Sequence, residues 1–140
     1  ISEHNEKERE KTSPYHFAYF VLTDERPHLY ANIDKRVDLM IEQGLVDEVQ
    51  KLKNMGFHRD MVSMQGLGYK EILDYLDGKT TLEEAIYIIK RETRHFAKRQ
   101  LTWFRRERDV IWLDKQAYDY QDAKILDSMI NILKEKTIIN

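Results

Sequence analysis

The sequence predicts a mostly α-helical chain with one or two short strands. Apolar residues recur at helical spacing through five segments, whereas only two short runs have the length and composition of buried strands. The 140 residues include only five glycines and two prolines, which leaves little room for long irregular loops. The length is that of one domain with a moderate core.

The strand candidates are residues 15–23, an apolar run rich in aromatics, and residues 110–113, Val-Ile-Trp-Leu. A buried strand needs neighbours in a sheet, and this sequence provides few. We therefore expect further strands in sequence missing from this chain. The almost wholly polar segment 2–13 is predicted to be a frayed helix or linker.

Four shorter helices are predicted over residues 27–43, 46–54, 68–77 and 123–136. Asp24 is the candidate cap of the first, which Gly44 ends. The positions predicted to face inward are Leu29, Tyr30, Ile33, Val37, Met40, Ile41, Val46, Val49, Leu52, Ile72, Leu73, Tyr75, Leu76, Ile125, Leu126, Met129, Ile132 and Leu133.

The longest helix is predicted to begin at Thr80, because Thr80 and Glu83 have the spacing of a capping box. Its apolar positions recur every three or four residues and predict one inward stripe. The stripe comprises Leu82, Ala85, Ile86, Ile89, Thr93, Phe96, Ala97 and Leu101.

The second half of this helix combines cations, an amide and two large aromatics in residues 98–106, Lys-Arg-Gln-Leu-Thr-Trp-Phe-Arg-Arg. Lysine and arginine neutralise phosphates, and tryptophan and phenylalanine offer faces for unstacked bases. Residues 90–108 hold eight Lys or Arg and two Glu, a local charge of +6 in a chain whose formal charge is -2. The segment therefore predicts an interaction face.

Lys90, Arg94 and Lys98 recur every four residues along one edge predicted to be exposed, and Arg91 and His95 form the adjacent row. Such rows can lie against a phosphate backbone. The same pattern also fits a solvated surface, a membrane surface or an acidic protein partner, so composition alone leaves these alternatives open.

Two weaker signals lie upstream. Gly66-Leu67-Gly68 is a lone Gly-x-Gly that first indicates a turn, although the helix it opens could bind an anion with help from Lys70. By pattern, Arg36 is a surface cation that pairs with nearby Asp34, Asp38 or Glu42.

Several classes of function are excluded or unsupported. The absence of cysteine excludes disulfides, thiolate catalysis and cysteine-based zinc sites. The histidines share no metal-ligand spacing, and no Ser-His-Asp grouping or catalytic carboxylate pair is visible. No apolar run approaches the roughly 20 residues of a membrane span. We expect a cytoplasmic protein without a membrane partner.

Six motifs follow one another between about residues 14 and 114. They are Leu29-Tyr30, Arg36-Val37-Asp38, Met40 through Gly44-Leu45 to Glu48-Val49, Gly66-Leu67-Gly68-Tyr69-Lys70-Glu71, Tyr75-Leu76-Asp77-Gly78 and Lys98-Arg99-Gln100-Leu101-Thr102-Trp103-Phe104-Arg105. This series resembles the carboxy-terminal half of the bacterial tRNA dimethylallyltransferase family, also called tRNA isopentenyltransferases, and the order and spacing of the motifs are highly specific.

The resemblance implies an enzyme that transfers a dimethylallyl group from dimethylallyl diphosphate to N6 of tRNA adenosine 37. It implies a P-loop, kinase-like α/β fold of the nucleotide-binding type with a helical insertion. Residues 1–13 would end that insertion, residues 14–114 would complete the core and add a helical tRNA-binding region, and residues 115–140 would form a terminal helix.

The same resemblance assigns contacts with the tRNA anticodon stem-loop to Gln65, Gly66, Leu67, Gly68, Tyr69 and Lys70, and to Lys98, Arg99, Gln100, Leu101, Thr102, Trp103, Phe104 and Arg105. Arg36 would contact the diphosphate leaving group. The sequence departs from the family pattern at Pro27, and at Gln65, where some members have arginine.

The phosphate-binding loop, the acidic residue that accepts the N6 proton and the ligands of the magnesium cofactor are expected earlier in the full protein. This chain would therefore bind tRNA but be inactive alone, as part of a monomeric enzyme. Two alternatives remain at this point. One is a freestanding helical nucleic-acid-binding module that uses residues 68–76 and 81–106, and the other is a docking domain for an acidic protein.

Overall fold

The computed structural model describes residues 13–140, which form five α-helices and two strands. The prediction of a mostly helical chain with one or two short strands is confirmed. Short 3-10 turns cover Val62–Gln65 and Lys115–Tyr118. The elements in order are β1 (Tyr19–Thr23), α1 (Arg26–Glu42), α2 (Leu45–Asn54), α3 (Tyr69–Leu76), α4 (Leu82–Phe104), β2 (Val110–Asp114) and α5 (Asp122–Glu135).

The described chain divides into two compact units. One is Asp24–Arg106, and the other joins the described residues up to Thr23 with Glu107–Asn140. The predicted boundaries after residues 13 and 114 stay predictions, and the polar segment that precedes residue 13 lies outside the described residues. None of the described helices is both long enough and apolar enough to cross a membrane.

In the second unit, the two predicted strands pair in parallel, with Tyr19 opposite Val110 and Thr23 opposite Asp114. Val21 and Leu113 are buried, whereas Leu22 is exposed. The predicted strand began at Tyr15, but pairing with β2 begins only at Tyr19. β1 is therefore shorter than predicted. Parallel sheets are usually covered on both faces. The expectation of further strands stays a prediction.

Helix α5 in this unit buries Ile125. Leu126 was predicted to face inward but is exposed. Consecutive helical residues point about 100° apart, so only one of these two neighbours can lie on the centre of the buried stripe.

The unit Asp24–Arg106, which we call the helical unit, has a continuous apolar core. Helix α4 packs against both α1 and α3 and buries Ala85 and Ile89. Ile89 is the last residue of α4 in the buried cluster, so the second half of that helix carries side chains without contributing to this core. The buried cluster comprises Val37, Leu45, Val49, Met64, Ile72, Leu73, Ala85 and Ile89.

Helix α4 begins one residue later than predicted. The Thr81 hydroxyl accepts the N–H of Glu84 at 3.1 Å, and the Glu84 carboxylate accepts the N–H of Thr81 at 2.8 Å. The capping box predicted at Thr80 and Glu83 is therefore wrong by one position. Both threonines precede a glutamate by three residues, so the local pattern is degenerate and packing of the helix selects Thr81.

Helix α1 begins at Arg26, with Glu25 rather than Asp24 at the cap position. The Asp24 carboxylate instead accepts the N–H of Glu25 at 2.8 Å and contacts the ring of His28. Pro27 lies in the first turn, where a missing N–H breaks no helical hydrogen bond. This departure from the family pattern is therefore compatible with the helix.

Lys53 connects α2 to the end of α3 and is expected to make stability depend on pH. Its ammonium donates to Asp77 at 2.6 Å and to the Leu76 carbonyl at 3.2 Å. The hydrogen bond from Lys53 lowers the pKa of Asp77. A lowered pKa in the folded state stabilises the fold above the unfolded pKa, and this stabilisation is lost as pH falls through the folded value.

We therefore expect Lys53→Gln to reduce stability at pH 7 by up to about 1 kcal/mol and to have a smaller effect at a pH well below 3.8, the ordinary pKa of an aspartate. Urea unfolding at both pH values measures the difference, with Lys51→Gln on the same helix as control. A Lys53→Gln effect of equal size at both pH values would contradict the role of Asp77.

Candidate nucleic-acid interface

Five side chains in the second half of α4, together with Arg106 just after its end, line an open groove of about 560 Å³. Their spacing of three or four residues places them on one side of the helix. We call this surface the basic face. It comprises His95, Lys98, Arg99, Thr102, Trp103 and Arg106.

Trp103 is the main aromatic side chain of the basic face and is 54% exposed. Its ring meets that of half-buried Phe104 edge to face, with the centroids 5.1 Å apart and the planes at 69°. This contact restricts the orientation of the indole, while about half of the side chain stays exposed. A fixed, exposed indole can stack with an unpaired base.

Phe96 was predicted to face the core but is 55% exposed. It follows Ile89 by two helical turns and lies on the same side of the helix, but the buried cluster does not extend that far. The guanidinium of Arg99 lies 6.0 Å from the centre of the Phe96 ring, at the outer limit of a cation–π contact.

The first two cations of the predicted exposed row are paired with carboxylates of α1. Lys90 lies 2.6 Å from Asp38, and Arg94 lies 2.5 Å from Asp34. About a quarter of each cationic side chain is exposed. The prediction that Lys90 and Arg94 line a free edge is therefore wrong, since both side chains hold α4 against α1.

The remaining cations of this helix are available for an anionic partner. Lys98, Arg99, Arg105 and Arg106 are exposed. Within the described part of the chain, the ion pairs of this helix involve only earlier residues, so no carboxylate lies within 4 Å of these four cations. Positive charge therefore concentrates around Trp103.

Arg36 is exposed on α1 and does not form the predicted pairs with neighbouring carboxylates. Asp34 and Asp38 each lie two residues away, which places them across the helix from Arg36, and both pair with α4. Among residues 13–140 no ion pair to Arg36 is found. Its guanidinium is accessible to an anion.

The second predicted contact segment, residues 65–70, leads into α3. Gly68 has a φ of +104°, a backbone conformation that favours glycine. Its N–H donates to the Glu71 carboxylate at 2.8 Å, and Glu71 is only 5% exposed. The anion at this helix start is the protein's own carboxylate, so a phosphate contact through the Gly68 N–H is not available.

Other side chains of this segment make local contacts. The Tyr69 hydroxyl donates to Glu48 at 2.5 Å, which raises the pKa of Tyr69. The Gln65 amide donates to the carbonyl of Arg59. Leu67 is exposed, and Lys70 is partly exposed with its ammonium 3.6 Å from the Glu71 carboxylate, so these are the side chains of residues 65–70 best placed to meet a ligand.

The comparisons with known proteins decide the family. Residues 1–107 match a family model described as IPP transferase. The chain belongs to this family. It is 61% identical over 139 residues to a tRNA dimethylallyltransferase of Lachnoclostridium phytofermentans and 49% identical over 129 residues to that of Acetivibrio thermocellus. These alignments cover 99% and 92% of this chain and 44% and 41% of the relatives.

Two solved IPP transferases have the same fold as this chain. The tRNA isopentenylpyrophosphate transferase of Bacillus halodurans gives a TM-score of 0.78 at 45% identity, over 96% of this chain and 45% of that one. The tRNA delta(2)-isopentenylpyrophosphate transferase of Staphylococcus epidermidis gives 0.82 at 34% identity, over 97% and 43%. The chain therefore spans less than half the length of the relatives it matches, and the resemblance found in its motifs is confirmed.

Membership of the IPP transferase family does not place a metal on these residues. Within residues 13–140, no three His, Asp or Glu side chains are grouped as metal ligands. The magnesium cofactor of the intact enzyme stays a prediction.

The sequence analysis missed two carboxylates that shape residues 65–70, Glu48 and Glu71. A buried glutamate three residues after Gly68 has the spacing of a helix cap, and this signal could have identified Glu71. Glu48 reaches Tyr69 from 21 residues away, so no local pattern could have found it.

Proposed function

We propose that the intact protein transfers a dimethylallyl group from dimethylallyl diphosphate to N6 of adenosine 37 in tRNA, and that this chain mainly binds the anticodon stem-loop. Family membership and the names of its relatives support the reaction. The observation that carries the binding role is exposed Trp103 among cations without carboxylate partners in the described chain.

The chemistry of the basic face matches a single-stranded loop. Cations such as Lys98 and Arg99 neutralise phosphates and release counterions, while Trp103 supplies a stacking surface for one base. Adenosine 37 must leave the stack of the anticodon loop to react, at a cost of a few kcal/mol that is smallest in single-stranded RNA. A face that holds the loop would offset part of this cost.

Arg36 is our proposed contact to the leaving group. As the carbon–oxygen bond of the allylic diphosphate breaks, negative charge grows on the departing oxygens, and a guanidinium placed there stabilises it. N6 attacks the allylic carbon from the opposite side, the new carbon–nitrogen bond forms, and diphosphate departs. A carboxylate expected outside this chain accepts the N6 proton, so the chain alone would be inactive.

The proposal also covers the broader features of the intact protein. We place the chain in a P-loop, kinase-like α/β enzyme. This enzyme would act as a monomer in the cytoplasm, where its tRNA substrate is found. Family membership favours this function over a freestanding nucleic-acid-binding module or an acidic-protein docking domain.

The first experiment compares binding of the chain to an anticodon stem-loop bearing adenosine 37 and to a duplex RNA of the same length, across a salt series. We expect preference for the loop, and we expect Trp103→Ala to weaken loop binding by about 1 to 3 kcal/mol while duplex binding changes little. Trp112→Ala, which removes another exposed indole, is the matched control. Equal affinity for loop and duplex, or unchanged loop binding by Trp103→Ala, would count against the proposal.

A further inference from the structure

A second cavity, of about 270 Å³, lies between α3 and α4, and we call it the α3–α4 cleft. Three cations line it, Arg59, Lys70 and Arg91, together with the three carboxylates that pair with them, Asp74, Glu71 and Glu92. Thr80 also lines it, and the Thr80 hydroxyl oxygen is buried without a hydrogen-bond partner among the described residues. A buried hydroxyl without a partner is costly, and a polar ligand group in the cleft would satisfy it.

The cleft continues into the basic face along α4. Arg91 precedes His95 by four residues, so both lie on the same side of the helix. The Glu92 carboxylate lies 2.9 Å from Nε of Arg91 and 3.8 Å from Nδ1 of His95, and thus connects them. From Arg91 to Phe104, where α4 ends, the helix is about 20 Å long at 1.5 Å per residue.

Arg59 and Arg91 keep donors free for a ligand although each has a carboxylate partner. Arg59 lies 3.1 Å from Asp74, and Arg91 lies 2.9 Å from Glu92. Nearly half of each arginine side chain is exposed, and exposed ion pairs contribute little to stability. A guanidinium has five N–H donors, so a single carboxylate contact leaves most of them for phosphate oxygens.

We propose that Arg59 and Arg91 bind phosphates of the RNA strand that crosses the basic face, so that the α3–α4 cleft extends the interface. Lys70 belongs both to the cleft and to residues 65–70, and Arg91 joins that segment to residues 98–105. The two contact segments then form one continuous path for the RNA backbone. This inference rests on the proposed function and deepens it.

The Glu92 carboxylate competes with RNA phosphates for Arg91. Its carboxylate holds Arg91, and the hydrogen bond from Arg91, together with the charges of Arg91, His95 and Arg99, lowers the pKa of Glu92. Glu92 is therefore negatively charged at neutral pH and repels phosphate. Removal of this charge releases Arg91 and is expected to tighten RNA binding.

The test measures binding of the full chain to the anticodon stem-loop in a salt series, with circular dichroism to confirm folding. Arg59→Gln and Arg91→Gln are each expected to weaken binding about five- to tenfold at about 50 mM salt and to lower the slope of log K against log salt by about one. Glu92→Gln is expected to tighten binding. Lys79→Gln is the matched control, because Lys79 shares Asp74 with Arg59 and is exposed, yet lies beside glutamates rather than the cleft cations.

Arg91→Lys keeps the charge and should keep the salt slope, so it separates charge from packing. Suppose that Arg59→Gln and Arg91→Gln keep the wild-type affinity and salt slope, while replacement of both Arg99 and Arg105 with glutamine weakens binding. That result would overturn the cleft proposal and leave the proposed function standing. If substitutions in both regions change nothing, the RNA-binding function itself fails, and competition by an acidic peptide would then indicate a protein partner.

Discussion

Replacing both Arg99 and Arg105 with glutamine is expected to weaken binding of the anticodon stem-loop by about 2 to 6 kcal/mol. Each close charged contact with a phosphate contributes roughly 1 to 3 kcal/mol, and neither arginine has a carboxylate partner in the described chain that would have to be displaced first. The loss should shrink as salt rises, because the variant releases fewer counterions on binding and its affinity therefore falls less steeply with salt than that of the wild type.

Fluorescence anisotropy of a labelled stem-loop measures this loss. The matched control removes two exposed cations elsewhere in the helical unit, Lys51→Gln with Lys79→Gln, and keeps the change in net charge the same. A similar loss in this control would show that net charge alone attracts the RNA. Unchanged affinity in the double variant of Arg99 and Arg105 would remove residues 98–105 from the interface.

Ile72→Ala is expected to destabilise the helical unit by about 2 to 5 kcal/mol. Ile72 is 0% exposed and lies in the buried cluster with Val49 and Ile89, so the truncation removes apolar contacts and leaves a cavity. The same helix carries Tyr69 and Lys70 and packs against α4, so this core supports both contact segments.

Urea unfolding followed by circular dichroism gives the free energy of unfolding directly. Val62→Ala provides the control, because Val62 is an apolar residue of the same unit that is almost fully exposed, and its truncation should change stability by less than about 0.5 kcal/mol. At urea concentrations above its unfolding midpoint, the Ile72→Ala variant should lose stem-loop binding. The molecules of this variant that are folded should bind the stem-loop normally. If Ile72→Ala lowers the free energy of unfolding by as little as Val62→Ala does, the Ile72 site is not tightly packed.

Local sequence signals predicted the existence and type of every helix and strand described above. Helical spacing of apolar residues identified α1 through α5, and two short apolar runs identified β1 and β2. Boundaries shifted by one to a few residues, as at Thr81, because adjacent capping patterns differ little in local energy. The parallel pairing of β1 with β2 joins residues about 90 positions apart, and no local pattern contains it.

The candidate site was predicted in the same uneven way. Residues 98–106 stood out because charge and aromatic content are properties of composition, and composition is read from the chain directly. Which cations of the longer basic stretch 90–108 are free was not predictable, since Lys90 and Arg94 find their carboxylates on α1, more than 50 residues away.

The sequence by itself determined the elements, the family and the location of positive charge, because periodicity, motif spacing and composition are local. The tertiary structure decided which members of each pattern are used. The end of the core at Ile89 exposes Phe96, and the packing of α4 against α1 pairs Lys90 with Asp38 and Arg94 with Asp34. Both outcomes depend on which helices pack together, and packing joins residues that are distant along the chain.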